Sequence, residues 1–203
     1  KITGLFGYKL VEKDYIKNMR VQSSNSSLNI KNLLNTYCKQ NKFKNLLQIG
    51  ANDGERFDEL NYFIKKYKIK SVLVEPINKY FYELKKNYSN YEFVKIENSA
   101  ISVNNEISYL FAVNDKDINI YDEHVKGINS FEIQHLIKHG VKKNHIEKKK
   151  INTLSVQDLI KKYNINELDL LYVDTEGYDG KIVYEFIKST KLNPIIIFEY
   201  IHI

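Results

Sequence analysis

The run Leu46-Leu47-Gln48-Ile49-Gly50-Ala51-Asn52-Asp53-Gly54 constrains this chain more than any other stretch: an apolar strand pattern stops on two glycines and a helical pattern begins at once. That is strand, tight turn, helix. In an open α/β sheet, ligands bind beyond the carboxyl ends of strands, and glycine there lets backbone approach a ligand closely. A second apolar run, Ser71-Val72-Leu73-Val74, ends on Glu75-Pro76, and Glu75 lies 25 positions after Gly50 (75 − 50). A nucleotide-binding βαβ unit carries its ribose-binding acid at about that spacing.

The order of elements supports an α/β fold. Apolar runs at 45–50, 71–75 and 92–96 read as strands. Between them, Phe57, Leu60, Ile64 and Tyr67, then Ile77, Tyr80, Phe81, Leu84 and Tyr88, form helical stripes. Right-handed crossovers turn this β-α-β-α-β series into a mostly parallel central sheet with helices on both faces, a Rossmann-like arrangement. Alternation at Ile107, Tyr109, Phe111 and Val113 predicts an extra strand within an insertion of about 104–150. The rest of that insertion is polar and weakly periodic, and reads as an irregular lid or substrate-binding segment. Ser155 and Asp158 are spaced as a capping pair for a helix with Val156, Leu159, Ile160 and Tyr163 on one face. Residues 169–173 form a buried-type strand that runs into Asp174-Thr175-Glu176-Gly177-Tyr178-Asp179-Gly180. A helix bearing Ile182, Val183, Phe186 and Ile187 then leads to a last strand at 195–200.

With 203 residues, 43% of them hydrophobic, one domain with a full core is expected. Residues 1–40 read as a helical cap, with Ser27 capping a helix through Tyr37, and 41–203 as the ligand-binding unit. The net charge of +6 accompanies an abundance of Lys, Asn, Ile and Tyr that suggests a nucleotide-composition bias. Basic residues are spread along the chain apart from Lys142-Lys143 and Lys148-Lys149-Lys150, with no aromatic and basic stacking module, so no nucleic-acid partner is expected. The single cysteine, Cys38, excludes an internal disulfide framework and a Cys-rich metal site. There is no apolar run of membrane-span length and no signal-peptide pattern, so a cytoplasmic setting is expected.

The turn at 50–54 lacks the G-x-G-x-x-G spacing of a dinucleotide fingerprint and has no Lys-Ser/Thr for a phosphate loop. A pyrophosphate ligand is therefore disfavoured. Asn52 and Asp53 in the turn suit a cationic ligand, and Glu75 suits two ribose hydroxyls. S-adenosylmethionine combines an adenosine, a sulfonium cation and an amino-acid tail. The chain resembles the FkbM family of class I S-adenosylmethionine-dependent methyltransferases in three motifs, in order: Ile49-Gly50-Ala51-Asn52-Asp53-Gly54, Val74-Glu75-Pro76, and Asp174-Thr175-Glu176-Gly177-Tyr178. Thr153-Leu154 and Phe198-Glu199 fit the same pattern, and the likeness spans roughly 45–200. The resemblance implies that Gly50, Ala51, Asn52, Asp53 and Gly54 form the methionine-side turn, that Glu75 with Pro76 binds the ribose, and that Asn98 and Ser99 contact adenine. Gly127 and Ser130 match a small-residue and serine element of the family's middle region. Two departures are Gln48, where many members carry an acid, and Tyr172, where Lys is frequent. The family's sheet continues past Tyr200, so the C-terminal edge reads as truncated.

The resemblance implies methyl transfer to a hydroxyl of a small-molecule or carbohydrate acceptor, in polysaccharide or secondary-metabolite modification. Asp174 and Glu176 are two apart at a strand end, and Asp174 is the first choice of base. Their closeness raises one pKa toward the working pH, or lets them hold a divalent ion; alternatively they cap the next helix. No dedicated metal set is read. Glu199 and His202 end the last strand, His202 as a further base; Ser130, Tyr178 and Glu199 are the expected substrate contacts. His135 and His139 are spaced i, i+4 without a third ligand and read as a plain surface helix. The competing functions are a non-catalytic S-adenosylmethionine-binding module, a nucleotide-dependent oxidoreductase, and a nucleic-acid methyltransferase.

Overall fold

A computed structural model describes residues 4–5, 8–12, 30–40, 42–56, 58–103 and 109–199. The first described elements are strands β1 (Gly4–Leu5) and β2 (Tyr8–Glu12) and helix α1 (Ile30–Lys39). There follow β3 (Asn45–Ile49), α2 (Asn61–Tyr67), β4 (Lys70–Val74), α3 (Asn78–Asn87) and β5 (Val94–Glu97). The middle region holds β6 (Ala100–Ile101), β7 (Tyr109–Val113), α4 (Glu123–Gly127), β8 (Asn129–Ser130), α5 (Ile133–Lys138), β9 (Ile146–Lys150) and β10 (Thr153–Leu154). Last come α6 (Val156–Lys162), β11 (Leu170–Val173), α7 (Asp179–Ser189) and β12 (Ile195–Phe198).

The main sheet has the order β1-β2-β12-β11-β3-β4-β5, and every pair from β2 to β5 is parallel. Side chains alternate across it as a sheet covered on both faces requires. Leu47, Ile49, Leu171 and Val173 pack with Leu159, Ile182 and Phe186 on one face. Leu46, Leu170 and Tyr172 pack with Leu34, Ile64 and Leu84 on the other. Each fully buried Leu, Ile or Phe contributes about 1.5–3 kcal/mol over an exposed one, so both helical layers are fastened by the same two central strands. From β3 the chain moves outward one way through β4 and β5, whereas β11 and β12 lie on the other side. The direction reverses between β3 and β11, whose ends are in register at Val173 and Ile49. An open parallel sheet forms its ligand crevice at such a reversal.

Two expectations need correction. Residues 1–40 do not form a purely helical cap, because β2 pairs in parallel with β12 through Leu10, Val11 and Glu12. The sheet edge that the sequence left open beside β12 is thus occupied by residues 8–12. Five residues are too few for a period to stand out, and their partner strand lies at the far end of the chain. The insertion is also more regular than its composition implies. The strands β8, β7 and β9 form an antiparallel sheet, and Val113, Val125, Ile128, Leu136 and Val141 make a small core of their own. Strand β9 was hidden by its lysines: the Lys148 ammonium lies 4.4 Å from the centre of the Tyr109 ring, so a residue scored as polar covers an aromatic surface. Ser27, Phe57, Tyr200 and His202 lie outside the described residues.

Candidate active site

The glycine turn is tied to both neighbouring strands. Gly50 N and Ala51 N donate to Val74 O, each at 3.0 Å, and Asp174 N donates to Ile49 O at 2.9 Å. Asn52 turns the chain with a φ of +50°, a conformation that Asn tolerates better than most residues. Its N–H then points at Glu75 Oε2, 2.9 Å away, while Ile77 N donates to Glu75 Oε1 at 2.8 Å. Behind them, Asn98 Nδ2 donates to Glu75 O and Pro76 O, at 3.0 and 3.3 Å. Glu75 is therefore fixed at the end of β4. Burial pushes its carboxyl up to about 7 although both amide donors oppose the shift.

A crevice of about 930 Å³ opens above these strand ends. Gly50, Ala51, Asn52, Glu75, Pro76 and Ser99 line one side, and Asp174, Glu176 and Glu199 the other. The insertion supplies Gly127, Asn129, Phe131 and His139. Asp174 and Glu176 are thus brought to the same crevice as Glu75. The carboxylate that takes the loop amides is Asp179, which accepts from Thr175 N and Gly177 N, each at 3.2 Å, and from Thr175 Oγ1 at 3.0 Å. Burial and then the nearby Asp174 charge raise its pKa.

Several residues expected at the ligand instead hold the walls. Asp53 is turned away from the crevice: it accepts from Glu55 N and Arg56 N at 2.9 Å and pairs with the Arg56 guanidinium. Burial works against its ionisation, but the bonds from Arg56 and the two amides outweigh that and hold the carboxyl below its usual range. Gly54 is a packing position, because a Cβ there would meet Leu84 and Tyr88 side chains at 2.4 and 2.7 Å. Asn98 braces the Glu75-Pro76 backbone. Tyr178 is buried in the core edge-on to Phe131, at 4.6 Å between ring centres, so it is not a stacking platform for a ligand. Ser130 is also buried, and its Oγ donates to Glu176 O at 2.9 Å.

His135 and His139 do not lie on a plain surface helix. His135 is only 5% exposed, and its Nε2 lies 3.2 Å from Glu176 Oε2. The centre of the His139 ring is 4.7 Å from that of His135, and His139 lines the crevice. Glu176 has a φ of +53°, an unfavourable backbone for a non-glycine residue. Helix α5 and Ser130 therefore pin both the backbone and the side chain of Glu176. Sequence reading missed this because β8 and α5 reach the 174–179 loop only through tertiary packing.

The crevice is acidic in a basic protein. Glu55, Asp58, Glu59, Glu75, Asp174, Glu176 and Glu199 line it, against the cations Lys31 and Arg56. Arg56 is engaged by Asp53 and, at 3.0 Å, by Glu83. Such a lining repels polyphosphates and attracts cations. A class of protein that acts on a cationic nucleoside fits this site, and the model of the Methyltransferase FkbM domain matches residues 48–203. The chain belongs to the FkbM methyltransferase family. No curated protein and no solved structure matches it. S-adenosylmethionine, which this family implies, calls for hydrogen-bond acceptors at its ammonium and its ribose hydroxyls. Among the described residues, Gln48 Oε1, Asp58 Oδ2, Glu59 Oε2 and Ser99 Oγ are buried without a hydrogen-bond partner, and all four residues line the crevice. Buried polar groups require partners, and this set fits a ligand carrying an ammonium and a nucleoside but no phosphate. Among the described residues of the FkbM domain, no group of three or more His, Cys, Asp or Glu is arranged to hold a metal ion, and no helix is long and apolar enough to cross a membrane.

The carboxyls of the crevice make stability depend on pH. Glu75 rises from 4.5 to about 7, and burial also lifts Asp58 from 3.8 to about 6. Between the ordinary and the raised values the folded protein binds more protons than the unfolded chain, so stability falls as pH rises through about 4–7 and levels off above. Glu75 alone accounts for on the order of 3 kcal/mol. Without added ligand, the urea midpoint is expected to be higher at pH 5 than at pH 8. A midpoint that climbs steadily from pH 5 to 8 would contradict the buried, hard-to-ionise Glu75.

Proposed function

We propose that this FkbM domain transfers a methyl group from S-adenosylmethionine to a hydroxyl oxygen of a small-molecule or carbohydrate acceptor. The observation that carries the reading is the convergence of Glu75, held by two amides at the end of β4, with Asp174 and Glu176 at the end of β11, in one acidic crevice at the switch point. When bound, S-adenosylmethionine supplies an electrophilic methyl group. Glu75 binds the ribose hydroxyls, and Ser99 takes the adenine side of the crevice. Asp174 takes the proton of the acceptor hydroxyl, and Glu176 aligns the acceptor through a second hydroxyl. Its strained backbone and the contact with His135 keep that carboxylate in one position. Phe131 and the rest of the insertion rim exclude water, which favours proton transfer between fixed groups. Holding nucleophile and methyl donor in line is most of what such a displacement requires. A nucleic-acid acceptor is disfavoured by the seven carboxylates of the lining. Acceptors of this kind belong to polysaccharide or secondary-metabolite modification.

The test is transfer of a labelled methyl group from S-adenosylmethionine to a panel of hydroxylated sugars. On the acceptor that works, Asp174→Asn is expected to lower kcat by about 10²–10⁴-fold, the usual contribution of a general base, with S-adenosylhomocysteine affinity unchanged. Full turnover by Asp174→Asn would remove the base assignment.

A further inference from the structure

Gln48 and Asp58 form a pair in the crevice lining whose outer ends are buried without a hydrogen-bond partner among the described residues. Gln48 is only 3% exposed, and its Nε2 donates to Asp58 Oδ1 at 3.4 Å. Asp58 Oδ1 also accepts from Leu60 N at 2.8 Å. One end of each side chain therefore holds the other in place. The opposite ends, Gln48 Oε1 and Asp58 Oδ2, are buried and unpartnered among the described residues, and so is Glu59 Oε2 on the next residue. All three residues line the crevice. A buried acceptor without a donor costs about 1–3 kcal/mol, and three in one wall are a poor arrangement for stability alone.

The three atoms are all acceptors. A group that satisfies them must bring only N–H or O–H donors and favour the company of two carboxylates. A primary ammonium has three N–H donors, no lone pair and a positive charge. Gln48 itself contributes no charge, and Asp58 supplies it from beyond the glycine turn, ten residues later (58 − 48).

We infer that Gln48, Asp58 and Glu59 form an ammonium subsite that takes the α-amino group of the cofactor's methionine tail, with Asp58 as its anionic centre. The inference rests on the reading that the crevice binds S-adenosylmethionine, and it explains how a chain with a neutral residue at the end of β3 still recognises the tail. Asp58 and Gln48 set affinity and specificity for the amino acid end, while Glu75 sets them for the ribose end.

Calorimetric titration with three probes separates these roles: S-adenosylhomocysteine, its analogue lacking the amino group, and 5′-methylthioadenosine, which lacks the whole amino-acid tail. Asp58→Asn is expected to weaken S-adenosylhomocysteine binding about 10- to 100-fold, the worth of a hydrogen-bonded charge contact. Its affinity for 5′-methylthioadenosine is expected to stay within about twofold, because that probe makes no contact at this subsite. Wild-type protein should bind the desamino analogue as weakly as Asp58→Asn binds S-adenosylhomocysteine, and the variant should no longer tell the two ligands apart. Gln48→Met, similar in shape, should weaken S-adenosylhomocysteine in the same direction. Unchanged S-adenosylhomocysteine affinity in Asp58→Asn, or an equal loss for 5′-methylthioadenosine, would overturn the subsite while leaving the cofactor crevice in place. Wild-type protein that binds neither S-adenosylhomocysteine nor 5′-methylthioadenosine would instead overturn the cofactor reading, and the subsite with it.

Discussion

Gly50→Ala is expected to destabilise the protein by about 3–5 kcal/mol, a large part of the roughly 5–15 kcal/mol that holds a domain of this size together. The substituted Cβ would lie 1.9 Å from the Asp174 carbonyl oxygen, an overlap with backbone rather than with a movable side chain. Gly50 also has a φ of +86°, where an L residue carries a further penalty of about 1–2 kcal/mol. Relief by separating the strands would break the Asp174 N to Ile49 O bond and open the switch point that forms the crevice floor. Gly140→Ala is the control: its φ is +83°, but no atom of the described residues lies within 4 Å of the added carbon. It should cost about 1 kcal/mol, the backbone term alone. Equal urea midpoints for the two variants would mean that β3 and β11 do not meet as closely as described.

How much of this was legible beforehand follows from how local each signal is. The strands β3, β4 and β11 are continuous apolar runs ended by Gly50, Glu75 and Asp174, so pattern and spacing located them within a residue or two. The parallel sheet expected of β3, β4 and β5 is borne out by their pairing. What the sequence did not disclose are contacts made across long separations by residues with no pattern of their own. Residues 8–12 fill the sheet edge beside β12; His135 reaches Glu176 over 41 positions; Asp58 joins Gln48 from the far side of a turn. Polar residues are the hardest to read in this way, because the same Asp can cap a loop, as Asp179 does, or line a crevice, as Asp174 does. Asp53 and Asn98 illustrate the point: motif position put them at the ligand, and hydrogen bonds put them in the wall behind it.

Glu75 is the residue on which the functional account turns. A carboxylate buried until its pKa approaches 7 is costly to keep at neutral pH, and groups of this kind concentrate at functional sites. The hydrogen bonds it accepts from Asn52 N and Ile77 N hold the oxygens in place and leave lone pairs for ribose hydroxyls. Removing the side chain forfeits those two hydrogen bonds but also removes the burial cost, so Glu75→Ala is expected to fold. Its effect on the ligand should be far larger, about 100-fold or more in affinity, since two hydrogen bonds to a charged acceptor are lost at about 1.5–3 kcal/mol each. The measurement that bears most directly on the account is therefore calorimetric titration of wild-type protein and Glu75→Ala with S-adenosylhomocysteine, with the fold of both checked by circular dichroism. Binding by the wild type that is lost in a folded Glu75→Ala is the predicted result. A folded variant that binds as tightly as the wild type, or a wild type that does not bind at all, would contradict the assignment of this crevice to the methyl donor.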